Sequence, residues 1–234
     1  RGKRAIADHF DTSFELEAGL EARGKTKLLE MVRNILPDRV SAIYIRQSQP
    51  LGLGHAVACA QPVVGDEPFA VILADDLIDG DEKSSLGQMV EAYNEHGVSV
   101  LGVEHVEPED TDKYGIVRTS GTMAERVNKV ESIVEKPKPD VAPSQLGVVG
   151  RYILTPRIFD MLEQTEPGAG GEIQLTDAID RLLNYEGVLS YEIEGKRYDC
   201  GDKLGYLQAT VEYALKHEEL ADDFRRYLEK YCPV

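Results

Sequence analysis

Cysteine is scarce in this chain: Cys59, Cys200 and Cys232 stand far apart in 234 residues. Three scattered thiols cannot build the paired framework of a disulfide-stapled secreted domain, and they lack the close spacing of a zinc site. That usage fits a reducing cytoplasm. Long apolar runs are also missing. No stretch reaches the roughly 18 residues that a membrane span requires, and Arg1-Gly2-Lys3-Arg4 is followed by no signal-like apolar segment. The expectation is a protein that is neither inserted in a membrane nor exported. Positive charge is short as well: 26 Lys and Arg face 42 Asp and Glu, a net charge of -16. Such a surface repels the phosphate backbone of nucleic acid and the anionic face of a bilayer. A nucleotide remains a possible ligand, because a divalent cation and one or two well-placed lysines can neutralise its phosphates locally. The five histidines show no metal-ligand spacing, and no Ser or Cys nucleophile stands with His55, so zinc chemistry and a serine triad have no support.

What is present is an alternation of helical and strand-like segments. Thr26 to Ile35 has helical spacing of apolar residues, and Val40 to Ile45 reads as a strand. Ala56 to Ala60 continues as a small-residue helix, Phe69 to Ala74 as a buried strand, Leu86 to Glu95 as a helix and Val98 to Val103 as a strand. That rhythm predicts a mostly parallel sheet covered by helices. From Tyr114 onward, short β-like runs at Gly115 to Thr119, Val127 to Val134 and Val148 to Leu154 are separated by Gly and Pro, which suggests an appended, partly antiparallel region. Helices return at Pro156 to Leu162, Leu175 to Leu183 and Leu204 to Leu215, around a strand at Val188 to Ile193. The length suits one domain.

Two features carry chemistry. Pro50-Leu51-Gly52-Leu53-Gly54-His55-Ala56 is a turn nearly free of side chains, which lets backbone NH groups approach a nucleotide. The apolar run Phe69 to Ala74 ends in Asp75-Asp76, and the carboxyl end of a buried strand is where open α/β sheets hold ligands. Neighbouring side chains at a strand end point to opposite faces, so one of the two aspartates is expected to meet a given ligand. Asp199, at the end of another apparent strand, offers a second carboxylate. Two such acids with substrate phosphates suit magnesium, a hard cation that keeps several waters, although strand-end acids also serve as turn or cap residues. Glu135-Lys136-Pro137 pairs an acceptor for sugar hydroxyls with a cation for phosphate, or forms a surface charge pair. Gly168-Ala169-Gly170-Gly171 feeds the segment Glu172 to Ile179, as a lid or as a permissive connection.

Taken in order, Asp8-His9-Phe10-Asp11, Gly52-Leu53-Gly54-His55-Ala56, Glu135-Lys136-Pro137, Gly150-Arg151-Tyr152, Glu172-Ile173-Gln174-Leu175-Thr176-Asp177-Ala178 and Asp199-Cys200-Gly201 closely resemble the bacterial UTP:glucose-1-phosphate uridylyltransferases. The likeness covers nearly the whole chain. It implies an α/β fold, Rossmann-like and of the nucleotidyltransferase type, with a sugar-binding β region. It also implies the reaction of UTP with glucose 1-phosphate to give UDP-glucose and pyrophosphate. By the same resemblance, Gln47 and Gly52 contact the uracil, Asp75 and Asp199 hold Mg2+, Gly115 and Glu135 face the glucose, and Lys136 holds its phosphate. Homodimers or homotetramers are implied too. The family's N-terminal glycine-rich loop, with an Arg and a Lys, would lie before Arg1, and with it the first strand of the sheet. Residues 1–234 by themselves are therefore expected to be inactive and to leave a gap in the sheet. A thymidylyltransferase and a non-catalytic nucleotide-sugar binding module are the competing readings.

Overall fold

Amphipathic periodicity and strand pairing together determine which of these segments become regular structure. The computed structural model describes residues 4–80 and 82–231, so Cys232 and the Arg1-Gly2-Lys3 portion of the basic start lie outside the described residues. The chain divides into two compact units, Arg1–Ser48 and Gln49–Val234.

The first unit holds helices α1 (Arg4–Phe10), α2 (Phe14–Ala22) and α3 (Thr26–Arg33). Leu29 is the buried anchor of α3, and Arg33 at its end donates to Glu17 of α2 at 2.8 Å. The strand expected at Val40 to Ile45 does not form. Its composition is β-favouring, but a strand exists only through the backbone ladder of a neighbour. Among the described residues none pairs with it, and Val40, Ile43, Tyr44 and Ile45 are exposed.

The second unit begins with α4 (Leu53–Ala58) and α5 (Gln61–Val64), followed by β1 (Phe69–Ile72), β2 (Asp76–Asp79), α6 (Ser85–His96) and β3 (Ser99–His105). Next come β4 (Gly115–Ala124), β5 (Val127–Glu135), β6 (Leu146–Leu154), α7 (Arg157–Glu163) and α8 (Leu175–Leu182). The remainder is β7 (Val188–Glu192), β8 (Lys196–Asp199), α9 (Lys203–Lys216) and α10 (Ala221–Glu229). Six strands form one sheet in the order β1-β6-β3-β7-β5-β4, and β2 pairs with β8 in a separate ribbon.

The α/β class stands, but the pairing is mixed rather than mostly parallel. Only β3 and β7 run parallel among the described strands; β6 is antiparallel to β1, β3 and β4, and β5 is antiparallel to β4 and β7. The β4–β5 hairpin continues the main sheet through β7 instead of forming a layer of its own. Every residue of β6 is buried, as expected for a central strand covered on both faces. On one face α8 lays down Leu175, Ala178, Ile179 and Leu182, a spacing of three, four and seven that defines a single helical stripe. Each large apolar side chain buried this way contributes about 1.5–3 kcal/mol. On the other face, Met89 and Ala92 of α6 pack with Val100, Ile153 and Leu189.

β1 departs from the buried strand that its composition suggests. Among the described residues it is an edge strand with β6 as its one neighbour, and Ala70 and Ile72 are exposed while Phe69 and Val71 are partly covered. The segment Leu73 to Asp75 then leaves this edge beside the site, tied by Leu73 NH to Gly150 O at 2.8 Å.

Candidate active site

The glycine turn is shaped by what it packs against. Gly52 has φ +93°, a conformation that side-chain-bearing residues avoid. Added Cβ atoms at Gly52 and Gly54 would come within 2.8 and 2.7 Å of the Ile173 carbonyl oxygen. The turn thus lies directly on the segment that leads into α8, joined by Gly54 NH to Ile173 O at 2.9 Å and Ile173 NH to Leu51 O at 2.8 Å. Leu53, Glu172, Gln174 and Leu175 from these two segments line one side of a cavity of about 330 Å3.

Its other walls come from the strand ends. Leu73, Asp75 and Asp76 arrive from the exit of β1, Gly115 from β4, Glu135 and Lys136 from the end of β5, and Arg197 and Asp199 from β8. Five of the predicted site residues, Asp75, Gly115, Glu135, Lys136 and Asp199, therefore meet at one cavity. Gly52 lies immediately before Leu53 in the turn beside it. Gln47 belongs to the first unit, and its assignment rests on the resemblance.

Glu135 and Gly115 are directly paired across β4 and β5. Thr176 donates its hydroxyl to Glu135 Oε2 at 2.9 Å, which fixes the carboxylate and leaves Oε1 3.7 Å from Lys136 Nζ. A Cβ at Gly115 would meet Thr176 Cγ2 at 2.7 Å, so glycine is what permits this approach. Lys136 has φ +45° and its NH donates to Tyr114 O at 2.9 Å. A non-glycine residue in that conformation is strained and is commonly found where a side chain must be aimed.

The carboxylates Asp75 and Asp199 flank a common point. A Cβ on Gly201 would lie 3.0 Å from Asp199 Oδ1 and 3.3 Å from Asp75 Oδ2. The strands are tied there by Cys200 NH donating to Asp75 O at 2.7 Å and Gly201 NH to Asp199 Oδ1 at 2.9 Å. Two hard oxygen donors, one of them half-exposed, fit magnesium provided that water and substrate phosphates complete its shell. Among the described residues no group of three or more His, Cys, Asp or Glu could hold a metal without such help.

Asp76 has a different environment. It is buried, and Arg197 Nε donates to its Oδ1 at 2.5 Å. Burial pushes the Asp76 carboxyl above the usual range, while the Arg197 charge pulls it back. The same guanidinium bonds Glu104 Oε1 at 2.7 Å and the Tyr114 hydroxyl at 3.1 Å, and lies 3.9 Å from Asp199 Oδ2. Burial works against its charge, but the Tyr114 bond, Asp76 and Glu104 overcome that and raise its pKa. Arg151 also reaches this cluster, donating to the carbonyls of Asp76, Leu73 and Gly150 at 2.7, 3.2 and 3.1 Å. Tyr152 lines the cavity while 5% exposed; burial, then the Glu135 and Asp76 charges, hold its phenol well above the ordinary tyrosine value.

Arg197, Thr176, Tyr152 and Lys113 are among the cavity residues to which the motifs assign no role. Gly150-Arg151-Tyr152 and Thr176 lie inside the quoted motifs, so the signal was present for them. Arg197 and Lys113 had none beyond proximity to Asp199 and Gly115.

Asp202 caps α9, accepting from Leu204 NH at 2.7 Å and Gly205 NH at 3.3 Å. These two backbone bonds hold its carboxyl below the usual value. The cap therefore stabilises fully above the ordinary aspartate pKa of about 3.9, and its contribution is lost as pH falls through the depressed folded-state value. Asp202→Ala is expected to lower the melting temperature at pH 7, while Asp202→Asn retains most of the cap. Melting curves for both variants, followed down toward pH 3, should show the gap between wild type and alanine closing.

A sheet whose strand ends gather paired carboxylates, a lysine and a glycine turn around one cavity defines an α/β nucleotide-handling protein. Residues 10–216 match the nucleotidyl transferase family, and the chain belongs to that family. It is 50% identical over 235 residues to the UTP--glucose-1-phosphate uridylyltransferase of Escherichia coli K12, covering 97% of this chain and 77% of that protein. A UTP-bound UGPase from Acinetobacter baumannii superposes with TM-score 0.87 at 42% identity, over 96% of this chain and 78% of that one. A UDP-glucose pyrophosphorylase complexed with UDP-glucose gives TM-score 0.83 at 41% identity, over 93% and 79% of the respective chains. Among the described residues no helix is long and apolar enough to cross a membrane.

Proposed function

We propose that this protein transfers the uridylyl group of UTP to glucose 1-phosphate, giving UDP-glucose and pyrophosphate. The observation that carries the reading is the convergence of Asp75, Gly115, Glu135, Lys136 and Asp199 on one cavity, in a chain half identical to the E. coli uridylyltransferase. A phosphate oxygen of glucose 1-phosphate attacks the α-phosphorus of UTP, the new phosphorus–oxygen bond forms, and the bond to the β-phosphate oxygen breaks to release pyrophosphate.

Nucleotidyl transferases generally use Mg2+; here Asp75 and Asp199 would hold it, and it would supply charge neutralisation on the phosphates. The chain's own residues position and stabilise. Glu135, oriented by Thr176, accepts from glucose hydroxyls, and the absent side chain at Gly115 lets Thr176 come close enough to hold that carboxylate. Lys136 offsets the phosphate charge. Gly52, in the turn beside the cavity, contacts the uracil. No covalent enzyme intermediate is required, because holding two phosphates in line and offsetting their charge accounts for most of the rate in such transfers.

The test is Mg2+-dependent pyrophosphate release by the full-length gene product from UTP and glucose 1-phosphate, with UDP-glucose identified as the second product. UTP should be preferred over dTTP by at least about tenfold in kcat/KM, a difference of roughly 1.4 kcal/mol in transition-state binding. Turnover with dTTP alone, or UDP-glucose binding without any pyrophosphate release, would overturn the assignment.

A further inference from the structure

The cavity has more negative charge than its anionic substrates can tolerate unless cations are supplied. Among the described residues that line it, Asp75, Asp76, Glu135, Glu172 and Asp199 are acidic, and Lys113, Lys136 and Arg197 are basic. Arg197 is committed: its side chain is 9% exposed and bonded to Asp76, Glu104 and Tyr114. That leaves the two lysines, which lie on either side of Tyr114-Gly115. Lys136 is tied to this segment by its NH bond to Tyr114 O, and Lys113 immediately precedes it at the end of the 3-10 turn Pro108–Lys113.

Lys113 is held in reserve by a weak partner. Its Nζ donates to Asp110 Oδ1 at 2.7 Å, in a pair whose side chains are 62% and 43% exposed. An exposed pair of this kind contributes little net free energy, so exchanging Asp110 for a dianionic phosphate costs little. Lys113 itself lines the cavity, together with Tyr114 and Gly115. Its position beside Gly115 puts it on the sugar side of the cavity rather than on the side formed by the Gly52 turn.

We propose that Lys113 leaves Asp110 to bind the phosphate of the sugar 1-phosphate, acting with Lys136 as the second cation of the acceptor site. This rests on the uridylyl-transfer reading above. A charge-assisted contact of this type corresponds to roughly a 10–100-fold change in apparent affinity.

The experiment compares Lys113→Gln, Lys113→Arg and Asp110→Asn in the full-length gene product by steady-state kinetics, with thermal melts to show that each is folded. Lys113→Gln should raise KM for glucose 1-phosphate at least about tenfold while KM for UTP stays within about twofold. Lys113→Arg should recover most of the loss. Asp110→Asn removes the resting partner and should leave KM for glucose 1-phosphate unchanged or lower it. If Lys113 serves only to brace its turn, Asp110→Asn will reproduce the Lys113→Gln defect, and the proposal falls. It also falls if Lys113→Gln leaves both KM values unchanged, or if the rise is in KM for UTP. A wild-type protein that makes no UDP-glucose overturns the functional reading together with this inference, whereas an active wild type with an indifferent Lys113→Gln overturns this inference alone.

Discussion

Asp199→Asn is expected to lower kcat/KM at least about a hundredfold while leaving the fold intact. The asparagine is nearly isosteric and can still accept Gly201 NH through its side-chain oxygen, the bond that Asp199 Oδ1 makes at 2.9 Å. What disappears is a negative charge at a point shared with Asp75, where both carboxylates lie 3.0–3.3 Å from the space above Gly201. Asn is a neutral and weaker ligand for a hard divalent cation. The variant should therefore also bind Mn2+, used as a spectroscopic substitute, more weakly in the presence of UTP. Because Asp199 is half-exposed and Arg197 stands 3.9 Å away, the substitution relieves no buried charge and should move the melting temperature little. Asp75→Asn should behave similarly. Near-normal turnover with unchanged Mn2+ affinity in both variants would remove this pair from the reaction.

Much of this arrangement was legible in the sequence, and the reasons are local. The stripe Leu175, Ala178, Ile179 and Leu182 identifies α8 because helical burial repeats every three to four residues. Asp75 stood out because it closes the apolar run Phe69 to Ala74, and Glu135, Lys136 and Asp199 because each lies within a motif of specific order. Strand direction was not legible. The alternation of helices and strands suggested parallel pairing, yet β6 runs antiparallel to three neighbours, and nothing within nine buried residues records which strands will flank them. Val40 to Ile45 shows the converse case, with β-favouring residues and no ladder partner among those described. Arg197 and Lys113 escaped notice for a related reason. Arg197 reaches Asp76 across 121 residues of sequence and Glu104 across 93, so only the assembled sheet brings them together.

The glycine of Gly150-Arg151-Tyr152 shows how a motif residue can act through packing. Gly150→Ala is expected to destabilise the protein by roughly 2–4 kcal/mol and to reduce kcat at least about tenfold. An added Cβ would lie 2.3 Å from Asp76 Oδ2, 2.8 Å from its Cβ and 2.9 Å from its Cγ. Asp76 cannot simply swing aside. It is buried, bonded to Arg197 Nε, and its own carbonyl accepts from Arg151 Nη2 at 2.7 Å. Displacing it would strip Arg197 of a buried partner, the circumstance in which an ion pair becomes costly, because a desolvated charge is left behind. The disturbance then reaches catalysis by two short routes: Asp76 follows Asp75 in sequence, and it is the register partner of Asp199 across β2 and β8. Gly187→Ala provides the comparison, since an added Cβ there meets nothing within 4 Å and the backbone has no positive φ; it should change stability by no more than about 0.5 kcal/mol. Urea unfolding and kcat for the two variants decide the matter. If Gly150→Ala were as harmless as Gly187→Ala by both measures, Asp76 would have to be free to move, and the buried Arg197 cluster could not be what aligns Asp75 and Asp199.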